Sequence, residues 1–161
     1  MKDRCFLLLF THMNVGRLFA LTAGILFLAL GITSFVPALV DSATAISNSG
    51  TDFGLIESYG NLLGLFPVNA PEAILYLVFG GLGVTSAIAL DSSLVYAGFT
   101  AVVFGLLTIL GLIPLANTVF GLFPVFGADV WLHGVVAVIA AYFGFFATPG
   151  LRELWQVNEP A

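Results

Sequence analysis

His133 and Asp129 are the residues in this sequence best placed to do chemistry. They stand four positions apart in an apolar segment, so on a helix they share one face. A carboxylate at that spacing orients an imidazole, which suits the pair to a proton relay or to ligating the magnesium of a pigment or the iron of a haem. The plainer reading is that Asp129 either caps the helix or interacts with its positive end. His133 then lies at headgroup depth or bonds a neighbouring helix. Glu72, beside Pro71, occupies the start of an earlier apolar segment and reads as a helix cap as well. A structural metal site built from Glu72, Asp129 and His133 would require the two repeats to converge at the outer face, and no metal site is expected. Tyr76 and Tyr142 read as packing residues with a polar handle. A bis-histidine haem is disfavoured, because His12, the other histidine, falls at the opposite side of the membrane.

Lipid is the solvent these residues must work in. Of 161 residues, 60% are hydrophobic and 8% charged, against the quarter or so charged that a soluble domain carries. Four long apolar runs are expected to be helices, at about 16–39, 71–90, 93–114 and 128–148. Each is long enough to cross a hydrocarbon core of about 30 Å, and inside hydrocarbon a helix pairs its own backbone groups. Pro and Gly mark the boundaries: Pro37, Pro71, Pro114 and Pro149-Gly150. The expected fold is all-α, an integral membrane four-helix bundle over residues 15–148. It is flanked by an N-terminal tail of residues 1–14 and a C-terminal tail of residues 149–161. Residues 40–70 make a long polar first loop, 91–92 a tight turn, and 115–127 a short apolar loop.

Charge sets the expected orientation. The four basic residues are Lys2, Arg4, Arg17 and Arg152, all at the tails or the helix end beside them. Four crossings put both tails on one side, which the positive-inside rule makes cytoplasmic. Trp131 and Trp155 fall near opposite ends of the fourth helix, as interfacial anchors do. Cys5 to Phe10 is too short and too poorly followed for a signal peptide, and Met13 competes with Met1 as the natural start. Cys5 is the lone cysteine, which excludes an internal disulfide. No basic patch is present to meet nucleic acid, and membrane lipid is the expected partner.

The sequence also resembles itself. Gly64-Leu65-Phe66-Pro67-Val68 recurs as Gly121-Leu122-Phe123-Pro124-Val125, and continuing the alignment sets Glu72 on Asp129 and Tyr76 on His133. Gly24 and Gly31 align with Gly98 and Gly105 in the preceding helices. Two repeated helical hairpins follow, parallel to each other about a pseudo-twofold axis along the membrane normal. Gly24, Gly31, Gly80, Gly81, Gly98 and Gly105 are expected to let helices approach closely, within the bundle or against another subunit.

The repeated Gly-Leu-Phe-Pro-Val, its acidic helix start and the paired hairpins resemble a bacterial four-transmembrane-helix family of unknown function (domain of unknown function 4383), over about residues 13–148. The resemblance implies a His near the start of both even-numbered helices. Here His133 stands at one place and Tyr76 at the other, so a paired-His site is not carried over. The family implies no activity. The sequence lacks a phosphate loop, a His-Glu-x-x-His motif and a nucleophile elbow. The leading expectation is therefore a non-enzymatic accessory or assembly subunit of a larger membrane complex. It would sit in a bacterial inner membrane, the plasma membrane or a thylakoid. Two alternatives stand beside it: a module binding chlorophyll or another tetrapyrrole through His133, and a small transporter or lipid-interacting protein.

Overall fold

A computed structural model describes residues 14–44 and 59–147, and both tails lie outside them. Four helices dominate: α1 (Val15–Thr33), α2 (Ala70–Ser86), α3 (Leu90–Leu112) and α4 (Ala128–Ala141), the last continuing as a π-helical turn, Tyr142–Phe146. Three helical stretches are long and apolar enough to cross a membrane: Val15–Thr33, Leu90–Leu112 and Ala128–Phe146. Ala70–Ser86 is apolar but shorter.

The boundaries differ from the sequence expectation for local reasons. α1 stops at Thr33, not near residue 39. Pro37 holds Val36 extended, and the Thr33 and Ser34 hydroxyls donate back to the Ala29 and Leu30 carbonyls. α2 ends at Ser86, where Thr85 and Ser86 make the same backward bonds to Gly81 and Leu82. The tight turn then falls at residues 87–89, and Asp91 belongs to the first turn of α3, where an acid favours the helix dipole. α3 ends at Leu112 because Ile113 precedes Pro114 and takes extended geometry.

The all-α expectation is corrected by a small sheet in the first connection. Its strands are β1 (Val40–Thr44), β2 (Tyr59–Leu62) and β3 (Phe66–Val68), antiparallel in the order β1-β2-β3. Pro67 is tolerated because β3 is an edge strand, where a missing N–H breaks no second ladder.

α1 packs along α2 and α3 along α4, giving the two hairpins adjacent in sequence. The α1–α2 seam is built from glycine. A Cβ on Gly24 would stand 2.6 Å from the Val84 backbone nitrogen, and one on Gly83 would stand 2.7 Å from the Gly24 Cα. Gly31 presses on Leu77, and Gly80 on Leu28. The α3–α4 seam is tight at Gly98, which Gly144 of the π turn approaches, and loose at Gly105, whose nearest neighbour, Ala137 Cβ, is at 3.9 Å. Gly81 differs: among the described residues nothing outside its own helix lies within 4 Å of where its Cβ would be, so it takes no part in a seam inside the bundle. At the tail end, Arg17 Nε donates to the Ala87 carbonyl at 2.7 Å, closing the C-terminus of α2.

The core between the hairpins is aromatic. Phe27 of α1 stacks on Phe104 of α3 at 4.8 Å and on Tyr76 of α2 at 5.8 Å, with Phe79 edge-on to both phenylalanines.

Candidate functional site

Above that aromatic layer, at the end of the bundle that carries the sheet, α2 and α4 bring four polar side chains together: Glu72, Tyr76, Asp129 and His133. All are buried, and the two acids and the histidine have no exposed surface. Each helix contributes an acid in its first turn and a ring one turn later. The two pairs thus face one another from the two hairpins.

Tyr76 is the hub. Its hydroxyl donates to Asp129 Oδ1 at 2.9 Å, lies 3.1 Å from His133 Nε2, and reaches Glu72 Oε1 at 3.4 Å. His133 Nε2 is 3.9 Å from Glu72 Oε1, and His133 Nδ1 is 3.3 Å from Asp129 Oδ2. The last approach has the distance of a hydrogen bond but not the direction. Glu72 Oε2, Asp129 Oδ2 and His133 Nδ1 have no hydrogen-bond partner among the described residues. One ligand atom from each of Glu72, Asp129 and His133 lies within 4.8 Å of the others. The two segments therefore converge as a shared metal site requires. The imidazole is walled in: Phe104 sits edge-on to it at 5.0 Å and Tyr76 at 6.0 Å.

The expected capping roles are corrected. Asn69 is the N-cap of α2, accepting from the Glu72 backbone N–H at 3.0 Å, which frees the Glu72 side chain to turn inward. Gly127 precedes α4 with no side-chain cap, and Asp129 points to Tyr76 and His133. Both acids still sit where the helix dipole favours negative charge. Asn69 also reaches across the hairpins. Its Nδ2 donates to the Leu122 carbonyl at 2.8 Å, tying the start of α2 to the second copy of the repeated motif.

Two residues of this site escaped the sequence reading. Tyr76 had a visible signal, since the internal alignment places it on His133. Asn69 had one too, an Asn immediately before the first helical residues, but Pro71 and Glu72 drew the capping role away from it.

The repeated motif has matching backbone. Leu63 and Gly64 have φ of +55° and +71°, and Phe120 and Gly121 have φ of +58° and +84°. A left-handed leucine and a left-handed phenylalanine are each uncommon, and here they precede equivalent glycines. The separation of Gly64 from Gly121 is the 57 positions that separate Tyr76 from His133.

The family model described as "Domain of unknown function (DUF4383)" matches residues 17–146. The chain belongs to this family. Searches of curated proteins and of solved structures found no match. The DUF4383 match covers the four helices except for Val15 and Gly16, and the whole Glu72–Tyr76–Asp129–His133 centre. It carries no activity, so function has to be argued from the site itself.

Proposed function

We propose that this DUF4383 protein is a non-enzymatic, four-crossing protein of a bacterial inner membrane that serves as a small accessory or assembly subunit of a larger complex. One contrast carries the reading. The polar groups able to do chemistry are sealed inside, and every helix turns large apolar side chains outward, among them Leu26, Val78, Val102 and Val138. A site closed on all sides clasps the two hairpins; an apolar exterior meets lipid or another membrane subunit.

α2 counts as the fourth crossing. Its 17 residues rise about 25 Å, within about 5 Å of the hydrocarbon thickness, a mismatch that local thinning of the bilayer absorbs. Arg17, with Lys2, Arg4 and Arg152 outside the described residues, assigns the tail end to the cytoplasm. Trp131, 77% exposed at the other end, suits the opposite interface. The matched left-handed turns and the facing pairs on α2 and α4 support duplication of one hairpin.

The test is purification from the native membrane in mild detergent followed by native mass analysis. Co-migration with other membrane subunits is expected. A lone monomer or homodimer in every preparation would refute the accessory role.

A second reading has an observation of its own. A cavity of about 680 Å³ opens between α3 and α4, lined by Thr108, Gly111, Leu112, Trp131, Gly134 and Val138. It is apolar and suits an acyl chain, as a lipid-interacting protein would need. Lipid adducts that survive in the native mass spectrum and vanish in Gly134→Leu would favour it. A tetrapyrrole on His133 has no comparable support, because Tyr76 and Phe104 would first have to leave the ring.

A further inference from the structure

The polar centre holds fewer protons than its contacts require. Tyr76 has one O–H and a neutral His133 has one N–H, while ionised carboxylates only accept. Three contacts of the Tyr76 hydroxyl, with Glu72, Asp129 and His133, compete for those hydrogens, while His133 Nδ1 faces Asp129 Oδ2 at 3.3 Å without hydrogen-bond direction. With both carboxylates ionised, either tautomer of the imidazole leaves at least one of the three setting lone pair against lone pair. Glu72 Oε2 also remains without a partner among the described residues. Buried ionised carboxylates facing one another are costly unless one takes up a proton or a positive charge stands between them.

We propose that Glu72, Asp129 and His133 bind one divalent transition-metal ion, of the class of Zn²⁺, and that this ion clasps α2 to α4. The donor set is one imidazole nitrogen and two carboxylate oxygens. That mixture suits zinc and its first-row neighbours, whereas magnesium and calcium are held by oxygen alone. The charge balances, because a +2 ion neutralises two carboxylates and leaves the imidazole uncharged, as a ligand must be.

The geometry is close to what the ion needs. Metal–ligand bonds of about 2.0–2.2 Å place neighbouring ligand atoms roughly 3–3.5 Å apart. His133 Nδ1 and Asp129 Oδ2 already stand at 3.3 Å, and the three-residue set lies within 4.8 Å. Bringing the set to that spacing takes up the roughly 1–2 Å by which its widest separation exceeds it. Tyr76, hydrogen-bonded to Asp129, then orients a ligand carboxylate from outside the coordination sphere. The site goes beyond the accessory role and does not depend on it: one experiment reads bound metal, the other reads partners, and either can fail alone.

The test uses the full chain in mild detergent with His12→Ala, so that His133 is the remaining imidazole. After chelator treatment and equilibration with Zn²⁺ alone, plasma mass spectrometry should find about one zinc per chain. The melting temperature should rise by several degrees at about a hundredfold excess of ion over Kd. His133→Ala and Asp129→Asn should bring zinc below one per chain even at saturating Zn²⁺, whereas Tyr76→Phe, which keeps all three ligands, should weaken binding but still reach one ion per chain at saturation. Co²⁺ in place of Zn²⁺ should give the visible bands of a tetrahedral, low-coordinate ion. Sub-stoichiometric zinc with an unmoved melting temperature would overturn the proposal, as would wild-type binding in the Asp129→Asn and His133→Ala variants. Should those variants fail to fold, Cu²⁺ bound to the His12→Ala chain decides, since an electron paramagnetic resonance spectrum without coupling to an imidazole nitrogen overturns the site.

Discussion

Gly80 and Gly81 are neighbours on α2, and the same substitution at each should move stability in opposite directions. A Cβ on Gly80 would stand 2.6 Å from the Leu28 backbone nitrogen, 2.7 Å from Leu28 Cγ and 2.9 Å from Leu28 Cδ2. Ordinary contacts between heavy atoms lie at about 3.5–4.0 Å. The leucine side chain can rotate away, but the backbone nitrogen cannot, so α1 and α2 must part locally by about 1 Å. Overpacking of that kind costs roughly 1–3 kcal/mol, offset by the roughly 0.5–1 kcal/mol that alanine gains over glycine in a helix. Gly80→Ala is therefore expected to destabilise by about 1–2 kcal/mol. At Gly81 no atom lies within 4 Å of the new methyl group, so the helix gain stands alone and Gly81→Ala should stabilise by about 0.5–1 kcal/mol. Reversible unfolding by a denaturing detergent titrated into a mild one, followed by circular dichroism, measures both. A gap of roughly 1.5–3 kcal/mol between the variants is expected. Gly80→Ala as stable as the parent, or both variants shifting the same way, would refute the close-packed α1–α2 seam.

Three further outcomes can be read in the same titration. Tyr76→Phe removes the hydroxyl that serves Asp129, His133 and Glu72, and should cost about 2–3 kcal/mol, whereas Tyr142→Phe, at an exposed position, should stay within about 0.5 kcal/mol; equal effects would deny Tyr76 its role as hub. Asn69→Ala loses both the cap of α2 and the tie to Leu122, for about 1–2 kcal/mol, while Asn69→Asp keeps the cap and should recover at least half, the remainder measuring the tie. Arg17→Met strips the donor from the Ala87 carbonyl and should cost about 1–2 kcal/mol; no loss would show that the α2 C-terminus finds its partners elsewhere.

The helices were legible in the sequence because lipid leaves a long apolar run few other options; their ends were not. Hydroxyl residues such as Thr33, Ser34, Thr85 and Ser86 look neutral in a hydropathy window, yet their backward bonds mark where α1 and α2 stop. The sheet was hidden for a different reason. Val40–Thr44 pairs with Tyr59–Leu62 across a separation that no local pattern reveals, and only Phe66–Val68 lies near its partner. The site was half visible. Asp129 and His133 are one turn apart and easily paired on paper. The convergence of Glu72 and Tyr76 on them required knowing that α2 faces α4, which is tertiary information. Gly81 shows the limit of composition: it has the same residue type as Gly80 and the opposite surroundings.

Duplication of one hairpin, as proposed above, would explain why the centre exists. If one hairpin was copied, equivalent faces of α2 and α4 meet at the axis relating them, and whatever polar residues that face carried meet their own copies. Identical residues at an axis set like against like, acid on acid and imidazole on imidazole. The present pairs differ, Glu72 with Tyr76 against Asp129 with His133, and the difference gives Tyr76 a proton to offer where a second neutral imidazole would offer only one of two tautomers. Tyr76→His reverses this. It sets a second imidazole within reach of Glu72, Asp129 and His133, making a two-nitrogen, two-oxygen set of the kind that holds zinc tetrahedrally. Zn²⁺ binding should tighten by at least about tenfold, and the Co²⁺ bands should shift with the added nitrogen. Without metal the variant should melt below the parent, because the hydroxyl that served three neighbours is gone. Weaker zinc binding in Tyr76→His than in the parent would mean that the two faces do not meet at a shared ligand position, and the axis would have to be placed elsewhere.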